Sequence, residues 1–244
     1  MLQTGAVFGL PVTAGRFKEV ASDILRRARA RRGGYVCVAN AHMLTLARRD
    51  GALGDILKRA ALVTSDGMPI VWSLRRRGCS EAERVSGPDL MDRLCAMAAR
   101  DSLPTYFYGG RPQALAAFRR ALSEYYPDLP IAGCEAPGDL PQKPPLDAGA
   151  TQRIRDSGAS LVFVGLGCPK QEYWMGAHAP HIDALMIGVG AAFDFTAGTL
   201  RRAPRWMQRA GLEWLFRLIM EPRRLWKRYL ITNTLFLYYL SRNR

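Results

Sequence analysis

A carboxylate, an asparagine, a run of arginines and a set of glycines stand where a reaction centre could be assembled. Asp66 follows an apolar run and opens Asp66-Gly67-Met68-Pro69. A carboxylate at a strand end can take a proton from an attacking hydroxyl, and Asp-Gly is also a common turn. Asn40 stands after Tyr35-Val-Cys-Val-Ala39, at a natural N-cap for the helical run behind it. Gly165 and Gly167 end the apolar run Leu161–Val164, and Pro169, Lys170, Gln171 and Glu172 then open a helix. Without a Cβ, glycine lets a ligand come close to the backbone. Strand, Gly-x-Gly and helix N-terminus together form a place that can hold a phosphate.

The elements that position these residues alternate. Strands are predicted over Tyr35–Ala39, Ala61–Ser65, Thr105–Tyr108, Leu129–Ala132, Leu161–Val164 and Ala184–Val189. Helices are predicted over Phe17–Arg32, after Asn40 through Arg49, up to Ala60, and over Ile70–Arg77, Pro88–Arg100 and Thr151–Ser157, with another from Pro112. Pro137–Asp147 reads as a loop. This alternation implies an α/β fold, a Rossmann-like parallel sheet with helices on both faces. Ligands of such sheets sit at the carboxyl ends of the strands. Asn40, Asp66, Gly109-Gly110, Gly165-Gly167 and Gly190–Asp194 all fall at such ends.

From residue 196 the character changes, so the chain divides into an α/β core (1–195) and a basic, amphipathic helical C-terminal appendage (196–244). The net charge is +14, and residues 195–244 hold 11 Lys and Arg against 2 acidic residues. Such a concentration points to an anionic partner: a lipid surface, nucleic acid or a polyphosphate. Arg205, Arg209, Glu213 and Arg217 recur every fourth residue, which on one helix would make a charged stripe. Met207, Ala210, Trp214 and Leu218 would lie beside it as an apolar stripe. Pro222 can start a second helix with Arg224, Lys227 and Arg228 on one face and Leu225, Trp226, Tyr229, Phe236 and Leu240 on the other. Basic residues beside interfacial aromatics describe a membrane-surface helix; the plainer alternative is a solvated face on an ordinary packing stripe.

Five widely spaced cysteines without a Cys-x-x-Cys read as reduced, cytosolic and free of zinc. The N-terminus lacks the order of a signal peptide, and no stretch reaches the ~18 apolar residues of a transmembrane helix.

Val164-Gly-Leu-Gly-Cys-Pro-Lys-Gln-Glu172 resembles the signature of the WecG/TagA/CpsF glycosyltransferases, bacterial enzymes that transfer a sugar from a nucleotide donor to a membrane lipid-linked acceptor. Val38-Ala-Asn40, the strand before Asp66-Gly67, Glu83–Leu90, Gly188–Gly198 and Arg202–Arg224 resemble further blocks of the same family, in order, from about Val36 to Arg228. Val38 stands where many members have Thr. The resemblance implies inverting transfer of a hexose or N-acetylhexosamine from a UDP-sugar to a polyprenyl-diphosphate-linked saccharide, on the cytoplasmic face of the membrane. It makes Asp66 the catalytic base. Asn40, Arg84, Gly109, Gly165, Gly167, Lys170, Gln171, Gly190 and Asp194 become the substrate-binding set. Gln171 can offer a donor and an acceptor to a sugar or a uracil edge, and Arg84 can meet an anionic group. Ser86 or Asp89 caps the helix behind it, and His42 is a minor candidate.

The sequence contains no Asp-x-Asp, the pair with which many glycosyltransferases hold a metal on the diphosphate. No metal and no cofactor is therefore expected, and another cation must meet the departing UDP. Arg205, Arg209, Arg217 or Arg224, folded over the strand ends, would supply it. Self-association stays open. Two other readings compete. A basic nucleic-acid- or membrane-binding protein without catalysis explains the charge but not the ordered strand-end polar groups. A nicotinamide oxidoreductase explains the glycine turns, but a full Gly-x-Gly-x-x-Gly after the first strand is missing.

Overall fold

A computed structural model describes residues 2–242, the Arg209 side chain excepted. It begins with an antiparallel hairpin, β1 (Gln3–Val7) and β2 (Leu10–Ala14), which the sequence patterns above did not announce. Its two-residue turn has φ of 56° at Phe8 and 78° at Gly9. Two positive φ values give the turn whose twist matches that of the flanking strands. Phe8 stands where Asn or Asp would normally signal it.

α1 (Phe17–Arg29), β3 (Tyr35–Ala39), α2 (Ala41–Ala47), α3 (Gly51–Arg59), β4 (Leu62–Ser65), α4 (Met68–Arg76) and α5 (Gly87–Arg100) follow. Then come β5 (Thr105–Gly109), α6 (Pro112–Tyr125), β6 (Ile131–Glu135), α7 (Ala148–Asp156), β7 (Leu161–Gly165), α8 (Lys170–His178), β8 (Leu185–Gly188) and α9 (Ala192–Thr196). Strands β3 to β8 form one parallel sheet in the order β4-β3-β8-β7-β5-β6. The α/β class with a parallel sheet is thus observed. Successive strand residues feed opposite faces. Val36, Val38, Phe163 and Ile187 pack with buried residues of α1, α5, α6 and α9. Tyr35, Cys37, Val162 and Val164 pack with those of α2, α3, α4 and α8. Burial on both faces explains why these strands read as continuous apolar runs.

Several boundaries move from expectation; α7, for one, starts at Ala148 rather than Thr151, capped by Asp147, and the helix after Asn40 stops at Ala47 rather than Arg49. The first helix stops at Arg29 rather than Arg32, because Arg31 turns to φ 46°. The strand expected over Leu129–Ala132 is instead β6, since Leu129 N–H closes a turn onto Tyr126 O at 3.1 Å.

The C-terminal part forms α10 (Arg205–Arg209), α11 (Glu213–Met220) and α12 (Pro222–Arg242). The single helix expected through Arg205, Arg209, Glu213 and Arg217 is broken at Gly211, whose φ is 73°. The four-residue stripe is therefore not formed. α12 lies on α2 and on the hairpin. Phe236 is buried, its ring centroid 4.9 Å from that of Phe8. Thr232 Oγ1 lies 3.1 Å from His42 Nδ1. The division expected at 195–196 falls within α9.

Candidate active site

Asp66 sits one residue beyond β4. Its N–H bonds Ala39 O of β3 at 2.8 Å, which extends the ladder and fixes the carboxyl at the strand end. Gly67, at φ 122°, then turns the chain into α4. Val85 N–H bonds Ser65 O at 2.8 Å, and Ser65 Oγ donates to Glu83 O at 2.8 Å. These bonds lay residues 83–86 along β4 and bring Arg84 to the same end. Arg84 Nε stands 3.8 Å from Asp66 Oδ1 and its Nη1 3.4 Å from Asp89 Oδ2. Arg84 Nη2 also donates to Glu213, at the start of α11. Arg202 Nη1 meets Asp89 Oδ1 at 2.8 Å. Ser86 occupies the N-cap position of α5 but makes no cap bond; its Oγ donates to Asp89 Oδ2 at 2.5 Å.

Asp66, Asp89 and Glu213 thus interleave with Arg84, Arg202 and Arg217, and their environments separate the acids. Burial disfavours the Asp89 carboxylate, but hydrogen bonds from Arg202 and Ser86 outweigh it and hold the group below the usual carboxylate range. Burial pushes Asp66 up to about 6; Arg84 and Arg217 draw it down, while Glu213 and Asp89 push with the burial. One acid in the cluster is therefore poised to exchange a proton near neutrality, and its neighbour is held as an anion. The Asp66 side chain keeps 27% of its surface exposed, so it is open to solvent at the strand end.

The glycines divide into two kinds. A Cβ on Gly109 would lie 2.6 Å from the Gly165 carbonyl carbon, and one on Gly165 would lie 2.9 Å from the Phe193 ring. The pairing of β5 with β7 requires the first, and the packing of α9 on β7 the second. Gly167 and Gly190, at φ 78° and 59°, have nothing within 4 Å of such a Cβ and face open space. They follow the carboxyl ends of β7 and β8, and Asn40 follows that of β3, the next strand of the sheet. Asn40 Oδ1 accepts from Met43 N–H at 3.0 Å and caps α2. Lys170, the first residue of α8, is half-buried. Asp194 accepts from exposed Arg111 at 3.1 Å beside Gly110.

Gln171 is placed differently from expectation. It is 3% exposed, its Oε1 accepts from Gly190 N–H at 3.0 Å, and its Nε2 donates to Glu172 Oε1 at 2.7 Å. Both ends of the amide bond the protein itself, so Gln171 braces the loop after β8.

Of the four arginines expected at a diphosphate, Arg217 is the one that weighs on Asp66. Arg205 is exposed, and Arg224 is exposed and paired at 2.8 Å with Glu221, the residue just before its helix. The Arg209 side chain lies outside the described residues. Two arginines outside that set share a feature with Arg217. Arg202, Arg217 and Arg228 each hold a buried Nε–H with no hydrogen-bond partner among the described residues. Buried donors are ordinarily paired, which sets these three apart from the other arginines. Arg228 acts on Cys168, next to Gly167, and on His42, whose imidazole is driven down to about 4 by burial and by that charge. In the sequence Arg202 and Arg228 look like any other basic residue, because the fold around Asp89 and Cys168 is what singles them out.

Among the described residues no helix is long and apolar enough to cross a membrane. A family model of the glycosyl transferase WecG/TagA/CpsF family matches residues 6–244, and the chain belongs to that family.

Proposed function

We propose that this glycosyltransferase moves a hexose or N-acetylhexosamine, with inversion, from a UDP-sugar to a polyprenyl-diphosphate-linked saccharide in cell-surface polysaccharide synthesis. The observation that carries the reading is the poised Asp66 carboxyl set among arginines at the strand ends. The donor lies over Gly167 and Gly190. Asp66 takes the proton of the acceptor hydroxyl as its oxygen attacks the anomeric carbon. The bond from that carbon to the UDP oxygen breaks, and UDP leaves with the electron pair. The guanidinium groups of Arg202, Arg217 and Arg228 meet the diphosphate as its charge grows. Their rigid forks match phosphate oxygens and carry charge at every working pH.

The membrane is the natural site for a lipid-linked acceptor. Trp206, Trp214, Ile219, Met220, Trp226 and Leu230 are exposed on α10 to α12, next to exposed Arg223, Arg224 and Lys227. Apolar and basic groups side by side support peripheral binding to an anionic bilayer, here the cytoplasmic leaflet.

The test is UDP release from a panel of UDP-sugars, with a lipid-diphosphate saccharide in detergent micelles and with EDTA. Release with one donor, unchanged by EDTA and lost in Asp66→Asn, supports the class, the base and metal independence together. Turnover that survives in Asp66→Asn refutes the assignment of the base.

A further inference from the structure

The buried acid next to Gln171 takes no part in the mechanism above. Glu172 is 0% exposed, so no substrate touches it. Among the described residues its Oε2 has no hydrogen-bond partner, and its polar neighbours are Gln171, Cys168 and Cys37 rather than a cation. An acid in such a place weakens the fold, and its hydrogen bond with Gln171 is made by the other oxygen. Oε1 accepts from Gln171 Nε2 at 2.7 Å.

We infer that Glu172 is a positioning residue: by holding Gln171 Nε2 it aims the Gln171 carbonyl at Gly190 N–H and so fixes the β8–α9 loop where the donor binds. A side-chain amide can be turned either way, and the partner of one end decides what the other end presents. With Nε2 held by Glu172, the oxygen faces Gly190, whose N–H it accepts at 3.0 Å. β8 is shaped to admit this amide. A Cβ on Gly188 would lie 2.8 Å from Gln171 Nε2. Gly190 is consequently anchored from below by its N–H and open above, with nothing within 4 Å of a Cβ. The one acid of Lys170-Gln171-Glu172 thereby acts on the donor site from inside the core, through one side chain and one loop.

The inference rests on the glycosyltransferase reading for the identity of the donor, so its test has one readout that needs no substrate. Amide hydrogen exchange at Gly190 is measured in wild type, Glu172→Leu and Glu172→Gln, alongside steady-state kinetics with the UDP-sugar that the wild type uses. Glu172→Leu removes the acceptor at similar volume. Glu172→Gln keeps a carbonyl that can accept from Nε2. Glu172→Leu is expected to speed Gly190 exchange and to raise the donor KM about tenfold with kcat altered less than about threefold, the loss of one buried bond. Glu172→Gln is expected to restore both. Combining Glu172→Leu with Gln171→Met should add nothing to Gln171→Met alone, because both cut the same path. Unchanged Gly190 protection in Glu172→Leu overturns the inference, as does additivity in the double variant or equal damage from Glu172→Gln. Should Glu172→Leu fail to fold, Gln171→Met cuts the chain from the other side and must by itself release Gly190. Should the wild type turn over no UDP-sugar, the reading of the reaction fails, while exchange at Gly190 still decides the role of Glu172.

Discussion

Replacing Glu172 by Gln should change how the stability of the protein depends on pH. Burial pushes the Glu172 carboxyl from 4.5 up to about 7; hydrogen bonds from Gln171 and Cys168 draw it down only in part. In the unfolded chain the same group titrates near its ordinary value. Below pH ~4.5 both states hold the proton, and the full stability is present. Between there and pH ~7 the unfolded chain ionises while the native state keeps its proton, so stability falls as pH rises. Above pH ~7 both are ionised and the loss is complete. A raised pKa of this size corresponds to ~3 kcal/mol. Glutamine at 172 fills the same space and does not titrate. The stability of Glu172→Gln relative to wild type should therefore climb by ~3 kcal/mol between pH 4.5 and 8, on the order of 10 °C in Tm for a domain of this size. Asp66 titrates in both proteins and cancels in the difference. Urea melts of both, taken every half unit at constant ionic strength, give the curve directly. A difference that stays flat across the range would refute the reasoning, because it would mean that Glu172 is already ionised in the native state.

The acid limb of kcat/KM should lie near pH 6, set by Asp66, and Glu213→Gln should move it down by about half a unit or more because it removes a neighbour that pushes Asp66 up; a limb that does not move in a pH–rate profile detaches Asp66 from it. Gly109→Ala should cost ~3 kcal/mol or more in a urea melt, since its Cβ would strike the Gly165 backbone at 2.6 Å, whereas Gly167→Ala should cost only ~1 kcal/mol for its positive φ. Phe236→Ala should cost ~3 kcal/mol and open α12 to limited proteolysis, as Phe236 is buried against Phe8. Arg217→Lys should raise the KM for the UDP-sugar more than Arg205→Lys does, because Arg217 is half-buried with an Nε–H unpaired among the described residues and Arg205 is exposed.

Sequence patterns reached β3 to the residue. Tyr35–Ala39 is buried on both faces, and an unbroken apolar run is what that burial requires. They missed the hairpin, because Phe8 adopts a positive φ without being Gly, Asn or Asp. The stripe of arginines misled for a local reason: one glycine, Gly211, turns the chain between Arg209 and Glu213. That turn releases Glu213 to pair with Arg84. The strand-end placement of Asn40, Asp66 and Gly190 was readable, since it follows from alternation of strands and helices. What each residue does there was not. Gln171 meets Gly190 only because β8 lies beside β7 in the sheet, and no spacing along the chain encodes that register.

The contact between Phe8 and Phe236 joins residues separated by nearly the entire 244-residue sequence. On a ribosome the N-terminal part emerges and collapses first, so the hairpin must wait with Phe8 uncovered until α12 leaves the exit tunnel. Arg202, Arg217 and Arg228 are likewise made after every strand of the sheet. A nascent chain that stops short of them thus displays an unburied aromatic that chaperones and proteases can recognise, and it lacks the three guanidinium groups proposed to meet the diphosphate. Quality control and competence to react are linked to the same late event.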